Sequence, residues 1–368
     1  MVQEKNKNIP TVIITRFSAI GDVAMTIPLL YSLAATNKNH RFVFVSQEFL
    51  RPIFTNMPDN MEFRGIKLAN TKAKSKIEKI KSSISNYISL LKFGSRLKKE
   101  YDVVAVADLH NETKSHFLTL PFLWGKAKTV RTESKKAERK SLIDPSNSNK
   151  KAIESIFDRQ KTVYRKLGFS LTPNFISLFG NEKADISPYA TFMPPKGEDK
   201  WVGIAPFANH KGKIYPMPNM RQVIALLSEK ENIRIFCFGN GKTEEEVIDT
   251  WCKEFNNVHS LVGKSNFEGE LKIMSHLDAM ISMDSANMHL ASLTNTTVFS
   301  IWGATSPLAG FLGWRQSPSN CIQKNMPCRP CSIYGNKPCI YGDYRCMDIA
   351  PEDIATPPQR PSAAQCQW

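Results

Sequence analysis

The sequence lacks several features that would place it in a common class of protein. Its eight cysteines in 368 residues are too few for a disulfide scaffold. The opening MVQEKNKNIP has neither the apolar core nor the small-residue cleavage site of a signal peptide. No uninterrupted apolar run approaches the roughly 18 residues that span a bilayer. These absences predict a cytoplasmic protein that is either soluble or peripheral on a membrane.

A dinucleotide-binding fingerprint is also missing. The turn RFSAIGD, which follows the first apolar run, holds only Gly21, whereas a Rossmann dinucleotide site needs the glycines of G-x-G-x-x-G. Ligands of α/β proteins bind beyond the carboxyl ends of parallel strands, so Asp22 in this turn is a candidate catalytic carboxylate. The alternative is that Asp22 is the N-cap of the helix that follows. No cofactor is predicted.

Positive charge is in excess, formally +15 from 49 basic and 34 acidic residues, and favours an anionic partner. Basic residues gather at 67–99 and 126–151. In the first cluster an apolar stripe at helical spacing predicts a basic amphipathic helix that suits an anionic membrane surface. The alternative is a solvated lysine face over a stripe of core residues. The stripe comprises Ile77, Ile80, Ile84, Tyr87, Ile88 and Leu91, and the lysines near its start are Lys72, Lys74, Lys76, Lys79 and Lys81.

Apolar strand-like runs alternate with helical patterns along the chain, which is typical of parallel βαβ units. We predict an α/β domain over residues 1–170, a proline-containing linker over 171–200, a second α/β domain over 201–354 and a flexible tail over 355–368. Two doubly wound domains joined in this way would leave a cleft between them. The predicted strands after the first are RFVFVS, YDVVAVAD, WVGIAPF, IRIFCFG, VHSLVG, LDAMISM and TTVFSIWG.

The segment ISMDSANMHLA places Asp284, Ser285 and Ala286 at a turn before a helix that carries His289. Backbone N–H groups at such a helix start bind phosphate, and short side chains let a diphosphate come close. The alternative is that Asp284 is an N-cap and His289 a satisfied core histidine. The loop APFANHKGKIYP follows an earlier strand and supplies two basic candidates for a phosphate, Lys211 and Lys213.

In combination, these segments resemble glycosyltransferase family 9, the bacterial lipopolysaccharide heptosyltransferases, over most of the chain. The segments that carry the resemblance are the turn from Arg16 to Pro28, ADLHNETKS, APFANHKGKIYP and ISMDSANMHLA, the last of which is similar to the family's D-[ST]-x-x-x-H signature. The resemblance implies the GT-B fold, in which two Rossmann-like doubly wound domains face a central cleft. It also implies an inverting transfer without a metal ion.

The resemblance further implies a role for each candidate residue. Asp22 would be the general base that takes the proton from an acceptor hydroxyl, and Lys213 would stabilise the departing nucleotide diphosphate. Acceptor binding is implied for Arg16 and Lys114. Donor binding is implied for Asp284, Ser285, Ala286, His289, Lys211 and, in place of an acidic ribose ligand, Glu244.

These roles lead to a hypothesis for the whole protein. It would move heptose or a related sugar from a nucleotide-diphosphate donor, ADP-heptose by default, to a lipopolysaccharide or lipooligosaccharide core acceptor at the inner face of the cytoplasmic membrane. The basic N-terminal half would meet the phosphorylated lipid. The alternatives are a non-catalytic protein that binds nucleotide sugars or anionic polymers, and a GT-B nucleotide-sugar epimerase. Nucleic acid is not expected, because few aromatic residues are interleaved with the basic run to stack on bases.

Four cysteines lie close together after the last predicted strand. Cys328, Cys331, Cys339 and Cys346 have the spacing C-x2-C-x7-C-x6-C. Thiolates at such a spacing can bind structural zinc tetrahedrally. We expect no metal here and keep structural zinc as the alternative.

Overall fold

The computed structural model of the chain describes residues 9–69 and 75–356. It divides into two compact units. The first unit comprises the described residues up to Ser134 together with Ile156–Phe175, and the second comprises Lys135–Ser155 and the described residues from Ile176 onward. Residues 135–155 thus lie in the second unit, whereas the sequence-based boundary at 170 groups them with the first. The predicted tail beyond residue 356 and the predicted helix lysines Lys72 and Lys74 lie outside the described residues.

The first unit contains a parallel sheet. Within its described residues, five strands pair in the order β3-β2-β1-β4-β5. The central strands are apolar on both faces because helices cover both sides, as in other parallel sheets. The strands are β1 (Pro10–Thr15), β2 (Arg41–Gln47), β3 (Met61–Ile66), β4 (Asp102–Asp108) and β5 (Lys128–Arg131). The helices up to residue 170 are α1 (Ile20–Ala24), α2 (Ile27–Thr36), α3 (Lys76–Glu100), α4 (Thr113–Thr119), α5 (Lys136–Leu142), which belongs to the second unit, and α6 (Ile156–Leu167).

The second unit contains a second parallel sheet, which confirms the prediction of two doubly wound α/β domains. In the described part of this unit, six strands pair in the order β11-β10-β9-β6-β7-β8. Trp201, Tyr215 and Trp302 are fully buried in its core. The strands are β6 (Lys200–Ala205), β7 (Ile233–Cys237), β8 (Val258–Ser260), β9 (Ala279–Met283), β10 (Thr297–Trp302) and β11 (Cys321–Gln323). The helices are α7 (Met217–Ser228), α8 (Lys242–Glu254), α9 (Phe267–Met274), α10 (Ala286–Leu293) and α11 (Pro351–Ala355).

Helix α3 is the predicted amphipathic helix. The alternative, in which the apolar stripe belongs to the core, is wrong for its isoleucines. The side that packs on the unit is a different one, formed by Asn86, Leu90, Gly94 and Leu97. The isoleucines are exposed instead: Ile77 by 66%, Ile80 by 52%, Ile84 by 52% and Ile88 by 49%. In the part of the chain that the structure describes, no helix is both long enough and apolar enough to cross a membrane.

Each sheet has one position where the strand order reverses. In the first unit the chain builds outward from β1 through β2 to β3 and then returns to place β4 beside β1. In the second unit the same path places β9 beside β6. Ligands of open α/β sheets bind beyond the carboxyl ends of the strands at such a reversal. The loops that follow β1 and β4, and those that follow β6 and β9, are therefore where a functional site is expected.

Candidate functional site

The loop after β1 in the first unit carries a carboxylate held at both oxygens. Asp22 Oδ1 lies 2.8 Å from Arg16 Nη2, and Oδ2 accepts a hydrogen bond from the Ala19 N–H at 2.9 Å. Ala19 is the N-cap of α1 and Asp22 is its third residue, so the alternative in which Asp22 is the N-cap is wrong. The Asp22 side chain remains 22% exposed. Each carboxylate oxygen retains a second lone pair that can accept a proton from a ligand hydroxyl.

Arg16 joins this turn to the end of the neighbouring strand. Its guanidinium donates a second hydrogen bond to the carbonyl oxygen of Leu109, which directly follows β4. The two segments that the sequence places 90 residues apart, RFSAIGD and ADLHNETKS, therefore meet at the reversal of the first sheet. Arg16, predicted to bind the acceptor, is positioned against Asp22 by this contact.

The segment after β4 is organised by a buried carboxylate that the sequence analysis did not single out. Asp108 accepts hydrogen bonds from the backbone N–H groups of His110 at 3.1 Å and Asn111 at 2.8 Å, and from the Ser115 hydroxyl at 2.9 Å. The sequence did offer a signal for Asp108, because it is the polar residue at the end of the predicted strand YDVVAVAD. Lys114, a predicted acceptor ligand, lies half-buried in α4 in the same segment.

His110 is a further group at this reversal that sequence reasoning missed. Its side chain is buried and packs edge-on against the Phe17 ring. Burial, helped by the nearby Arg16 charge and opposed by Asp22, lowers the pKa of the imidazole to about 4. Nε2 lies 3.2 Å from a Glu112 carboxylate oxygen without hydrogen-bond geometry, and within the described residues neither ring nitrogen has a hydrogen bond. The imidazole is therefore uncharged at neutral pH.

In the second unit the reversal brings together the lysine loop and the aspartate turn. Lys213 Nζ lies 3.0 Å from Asp284 Oδ2, with side chains only 17% and 8% exposed. The same oxygen accepts a hydrogen bond from the Thr305 hydroxyl at 2.7 Å. Lys213 follows β6, Asp284 follows β9 and Thr305 follows β10. Three neighbouring strand ends therefore contribute to one cluster of charged and polar groups.

The position of Lys213 depends on close backbone contacts. It ends a short 3-10 turn in which the Gly212 carbonyl accepts a hydrogen bond from the Ala304 N–H at 2.8 Å. Gly335 has a φ of +76° and lies against the lysine stem, where an added Cβ would come within 2.4 Å of Lys213 Cγ. A side chain at residue 335 would therefore meet both backbone strain and a steric clash.

The aspartate turn leads directly into α10. Ser285 is the N-cap of this helix, so the alternative in which Asp284 is the N-cap is wrong. Ser285 and Ala286 are half-buried, and the Ser285 hydroxyl lies 3.4 Å from that of Ser282. His289 is buried one turn further along. The first backbone N–H groups of α10 thus follow Asp284, the partner of Lys213, directly in the sequence.

Two other predicted donor ligands lie in different surroundings. Lys211 is exposed, with its ammonium 5.2 Å from the centre of the Tyr344 ring, a cation–π contact. Glu244 is the third residue of α8, and its Oε2 accepts a hydrogen bond from the Asn240 N–H at 2.7 Å. Glu244 thus stabilises the turn after β7, and its role as a ribose ligand stays a prediction.

The cysteine-bearing region supports the aspartate cluster through a buried arginine. The Arg329 guanidinium donates hydrogen bonds to the carbonyl oxygens of Trp302, Gly303 and Thr305. Arg329 lines a small pocket with the four free cysteines predicted as alternative zinc ligands, Cys328, Cys331, Cys339 and Cys346. Across residues 9–69 and 75–356, however, no group of three or more His, Cys, Asp or Glu side chains is arranged to hold a metal ion. The absence of a metal stays a prediction, with structural zinc as its alternative.

Comparison with known proteins gives consistent results. The model of glycosyltransferase family 9 (heptosyltransferase) matches residues 90–341. Lipooligosaccharide heptosyltransferase 2 of Haemophilus influenzae is 24% identical over 315 residues, which cover 79% of this chain and 82% of the relative. The structure of E. coli heptosyltransferase WaaC with ADP-2-deoxy-2-fluoro heptose has a TM-score of 0.59 and 19% identity over 88% of this chain and 97% of that one. A glycosyl transferase family 9 structure from Veillonella parvula reaches a TM-score of 0.68 at 14% identity, over 94% and 95% of the two chains.

Proposed function

The chain belongs to glycosyltransferase family 9, and from this premise we propose that it transfers heptose from ADP-heptose to the core of a lipopolysaccharide or lipooligosaccharide acceptor. The activity of the Haemophilus influenzae relative supports the sugar and the acceptor class. The ADP-linked heptose analogue bound to WaaC supports the donor. Because the acceptor is lipid-linked, we assign the reaction to the cytoplasmic face of the inner membrane.

The observation that carries the proposal is the Lys213–Asp284 pair at the strand reversal of the second unit. An ammonium group has three N–H donors, and one of them faces Asp284, so two remain for the oxygens of a diphosphate. The start of α10 adds backbone N–H groups that favour phosphate. We therefore assign the donor to the second unit. The other donor ligands in this assignment are Ser285, Ala286, His289, Lys211 and Glu244.

We assign the acceptor to the first unit, with Arg16 and Lys114 as ligands for its anionic groups. The acceptor hydroxyl gives its proton to the Asp22 carboxylate as its oxygen bonds to the anomeric carbon. The bond from that carbon to the diphosphate breaks on the opposite side, so the configuration inverts. Lys213 offsets the negative charge that grows on the leaving diphosphate, which is a task that a metal ion would otherwise perform.

The two alternative functions are not favoured. Membership of the family makes the protein a glycosyltransferase, which argues against a protein that only binds nucleotide sugars or anionic polymers. A nucleotide-sugar epimerase would need no acceptor, whereas the relative from Haemophilus influenzae is a transferase that acts on lipooligosaccharide.

The test is a transfer assay with a panel of nucleotide sugars led by ADP-heptose, with lipid A that bears the inner-core sugar as acceptor and with EDTA present. We expect transfer from ADP-heptose at the same rate with and without EDTA. Turnover of a different nucleotide sugar alone would show that the proposed donor is wrong. Loss of activity in EDTA that a divalent ion restores would contradict metal independence, and failure to bind any nucleotide would contradict the proposal as a whole.

A further inference from the structure

Helix α3 carries a row of apolar side chains that the described residues leave largely open to solvent. Ile77, Ile80, Ile84 and Ile88 follow one another at steps of three and four residues, so they lie on one face of the helix; we call them the isoleucine stripe. Each is about half exposed or more. Single exposed apolar residues are ordinary, but a contiguous row of them marks an interaction surface.

The packing of α3 explains why the stripe faces outward. At the margin of the stripe, Tyr87 stacks on Phe117 with ring centres 4.6 Å apart, and on another side of the helix Leu90 and Leu97 are fully buried. Gly94 approaches so closely that an added Cβ would lie 2.1 Å from the Leu118 carbonyl oxygen. This contact with α4 sets the rotation of the helix and leaves the stripe toward solvent.

The stripe is flanked by exposed positive charge. At about 100° per residue, Lys76 lies on one side of it and Lys81 and Lys92 lie on the other. The helix from Lys76 to Glu100 contains seven basic and two acidic residues, and all seven basic residues are exposed. Its acidic residues have local partners: Glu78 bonds the Ser75 N–H, and Glu100 pairs with Arg64.

An exposed tryptophan lies near the far end of the same helix. Lys98, which points within about 40° of the stripe, donates hydrogen bonds to the carbonyl oxygens of Pro121 and Trp124. The Trp124 side chain is 70% exposed, and Leu123 beside it is 48% exposed. Tryptophan is enriched where a protein meets the boundary between lipid headgroups and acyl chains.

We propose that the isoleucine stripe, together with Trp124, docks onto an anionic lipid bilayer, with α3 in the plane of the interface. The isoleucines enter the boundary between headgroups and acyl chains, and the lysines on both sides contact acidic headgroups. A second copy of this chain on the stripe would bring two rows of lysines together, so charge favours lipid as the occupant. This inference deepens the proposed function, because a lipid-linked acceptor is reached at such a surface.

The experiment is cosedimentation with vesicles of phosphatidylcholine alone or of phosphatidylcholine mixed with phosphatidylglycerol. We expect the wild type to bind the mixed vesicles, and more weakly in high salt. The double variant Ile80→Ser/Ile84→Ser loses at least about tenfold in affinity, because burial of two isoleucine side chains is worth that factor or more. The matched control is Ile340→Ser, which changes an isoleucine that is 65% exposed in the second unit and leaves binding unchanged. The triple variant Lys76→Gln/Lys81→Gln/Lys92→Gln tests the charge without changing the apolar face, and we expect it to bind the mixed vesicles more weakly.

Equal binding by the wild type and the double variant would overturn the proposal. Light scattering that finds a dimer for the wild type and a monomer for the double variant would also overturn it, because a second copy of the chain would then cover the stripe. Transfer to a deacylated, water-soluble core acceptor separates the two proposals. The double variant should retain that activity, whereas failure of the wild type there would contradict the proposed function and leave the lipid result standing.

Discussion

At the scale of single residues, the two units present similar ion pairs at corresponding places. Arg16–Asp22 lies at the reversal of the first sheet and Lys213–Asp284 at that of the second. In each pair a basic side chain holds a carboxylate at the carboxyl end of a strand. Apolar runs that end in polar turns or loops predicted Asp22, Lys213 and Asp284, and the family resemblance added Arg16. The sequence could not predict the partner Thr305, because nothing in the local pattern after β10 indicates that this hydroxyl contacts the loop after β9.

The role of Asp22 leads to a prediction for the nearly isosteric Asp22→Asn variant. The amide cannot take a proton from the acceptor, so we expect transfer to fall by at least about 100-fold, the usual contribution of a general base. Binding of the nucleotide sugar, measured by calorimetry, should be unchanged. The matched control is Asp59→Asn, at an exposed aspartate of the same unit, which should keep full activity. Transfer near the wild-type rate in Asp22→Asn would contradict the assignment of the base.

His110 leads to a prediction about stability and pH. Its pKa is about 4 in the folded protein against an ordinary 6.5, so the unfolded chain binds the proton first as the pH falls. The charged and titratable groups near it are Arg16, Asp22, Glu112, Lys114 and His116. We expect the free energy of unfolding to decrease from about pH 6.5 toward pH 4, by about 1–3 kcal/mol from this group.

The measurement is the unfolding midpoint across that pH range in the wild type and in His110→Gln. The variant should lose less stability on acidification, because glutamine does not titrate. His40→Gln, at a half-buried histidine of the same unit, is the control and should follow the wild type. If His110→Gln and the wild type have the same pH dependence, the imidazole does not resist protonation.

At the scale of elements, sequence periodicity predicted the central strands and one edge strand, β8, but missed the other three edge strands. β1, β2, β4, β6, β7, β8, β9 and β10 all come from predicted apolar runs. The strands β3, β5 and β11 were not predicted; each pairs with only one neighbour at a sheet edge and carries polar or exposed residues. A short strand of that composition has no pattern that distinguishes it from a loop, and the neighbouring strand determines that it pairs.

Helix α3 shows a second limit of periodicity. The isoleucines at helical spacing predicted the helix correctly, but the core contacts use a face that includes Asn86 and Gly94. The Asn86 amide pairs with both backbone groups of Ala69, and Gly94 permits a close helix contact. Neither residue is apolar in the usual sense. An apolar stripe therefore indicates an amphipathic helix without indicating what covers its apolar side.

The close contact at Gly94 predicts the effect of Gly94→Ala. Alanine favours a helix over glycine by about 1 kcal/mol, but its Cβ would lie 2.1 Å from the Leu118 carbonyl oxygen. We expect the clash to dominate and the variant to be about 1–3 kcal/mol less stable, as measured by denaturant unfolding. Ser85→Ala, at an exposed position of the same helix, is the control and should be neutral or slightly stabilising. Equal stability of the two variants would show that α3 and α4 can separate at little cost.

At the scale of the whole molecule, composition indicated an anionic partner and a chain long enough for two cores, and both sheets are present. It could not indicate that residues 135–155 fold with the second unit. That segment is held by contacts with distant parts of the chain: the Ile153 N–H donates to the Leu308 carbonyl oxygen at 2.8 Å, and Leu142 is buried. Its basic composition indicates exposure to solvent and does not show with which of the two units the segment folds.

The last prediction concerns the zinc content of the purified protein. We expect less than stoichiometric zinc in protein prepared without chelator, because no group of three or more metal-ligating side chains in the described residues is arranged to hold an ion. Elemental analysis by mass spectrometry measures it. The variant Cys328→Ser/Cys331→Ser should contain the same small amount. One zinc per wild-type chain, lost in that variant, would show that the cysteines form a metal site.

The return of the chain at residues 135–155 affects how such proteins can exchange parts by recombination. The gene encodes the second unit in two stretches with a piece of the first unit between them, so the chain passes from one unit to the other three times. A hybrid joined near residue 170 would inherit α5 from one parent and the sheet of the same unit from the other. An intact second unit therefore has to be inherited through coordinated junctions, and recombination at a single point gives hybrids whose second unit comes from two parents.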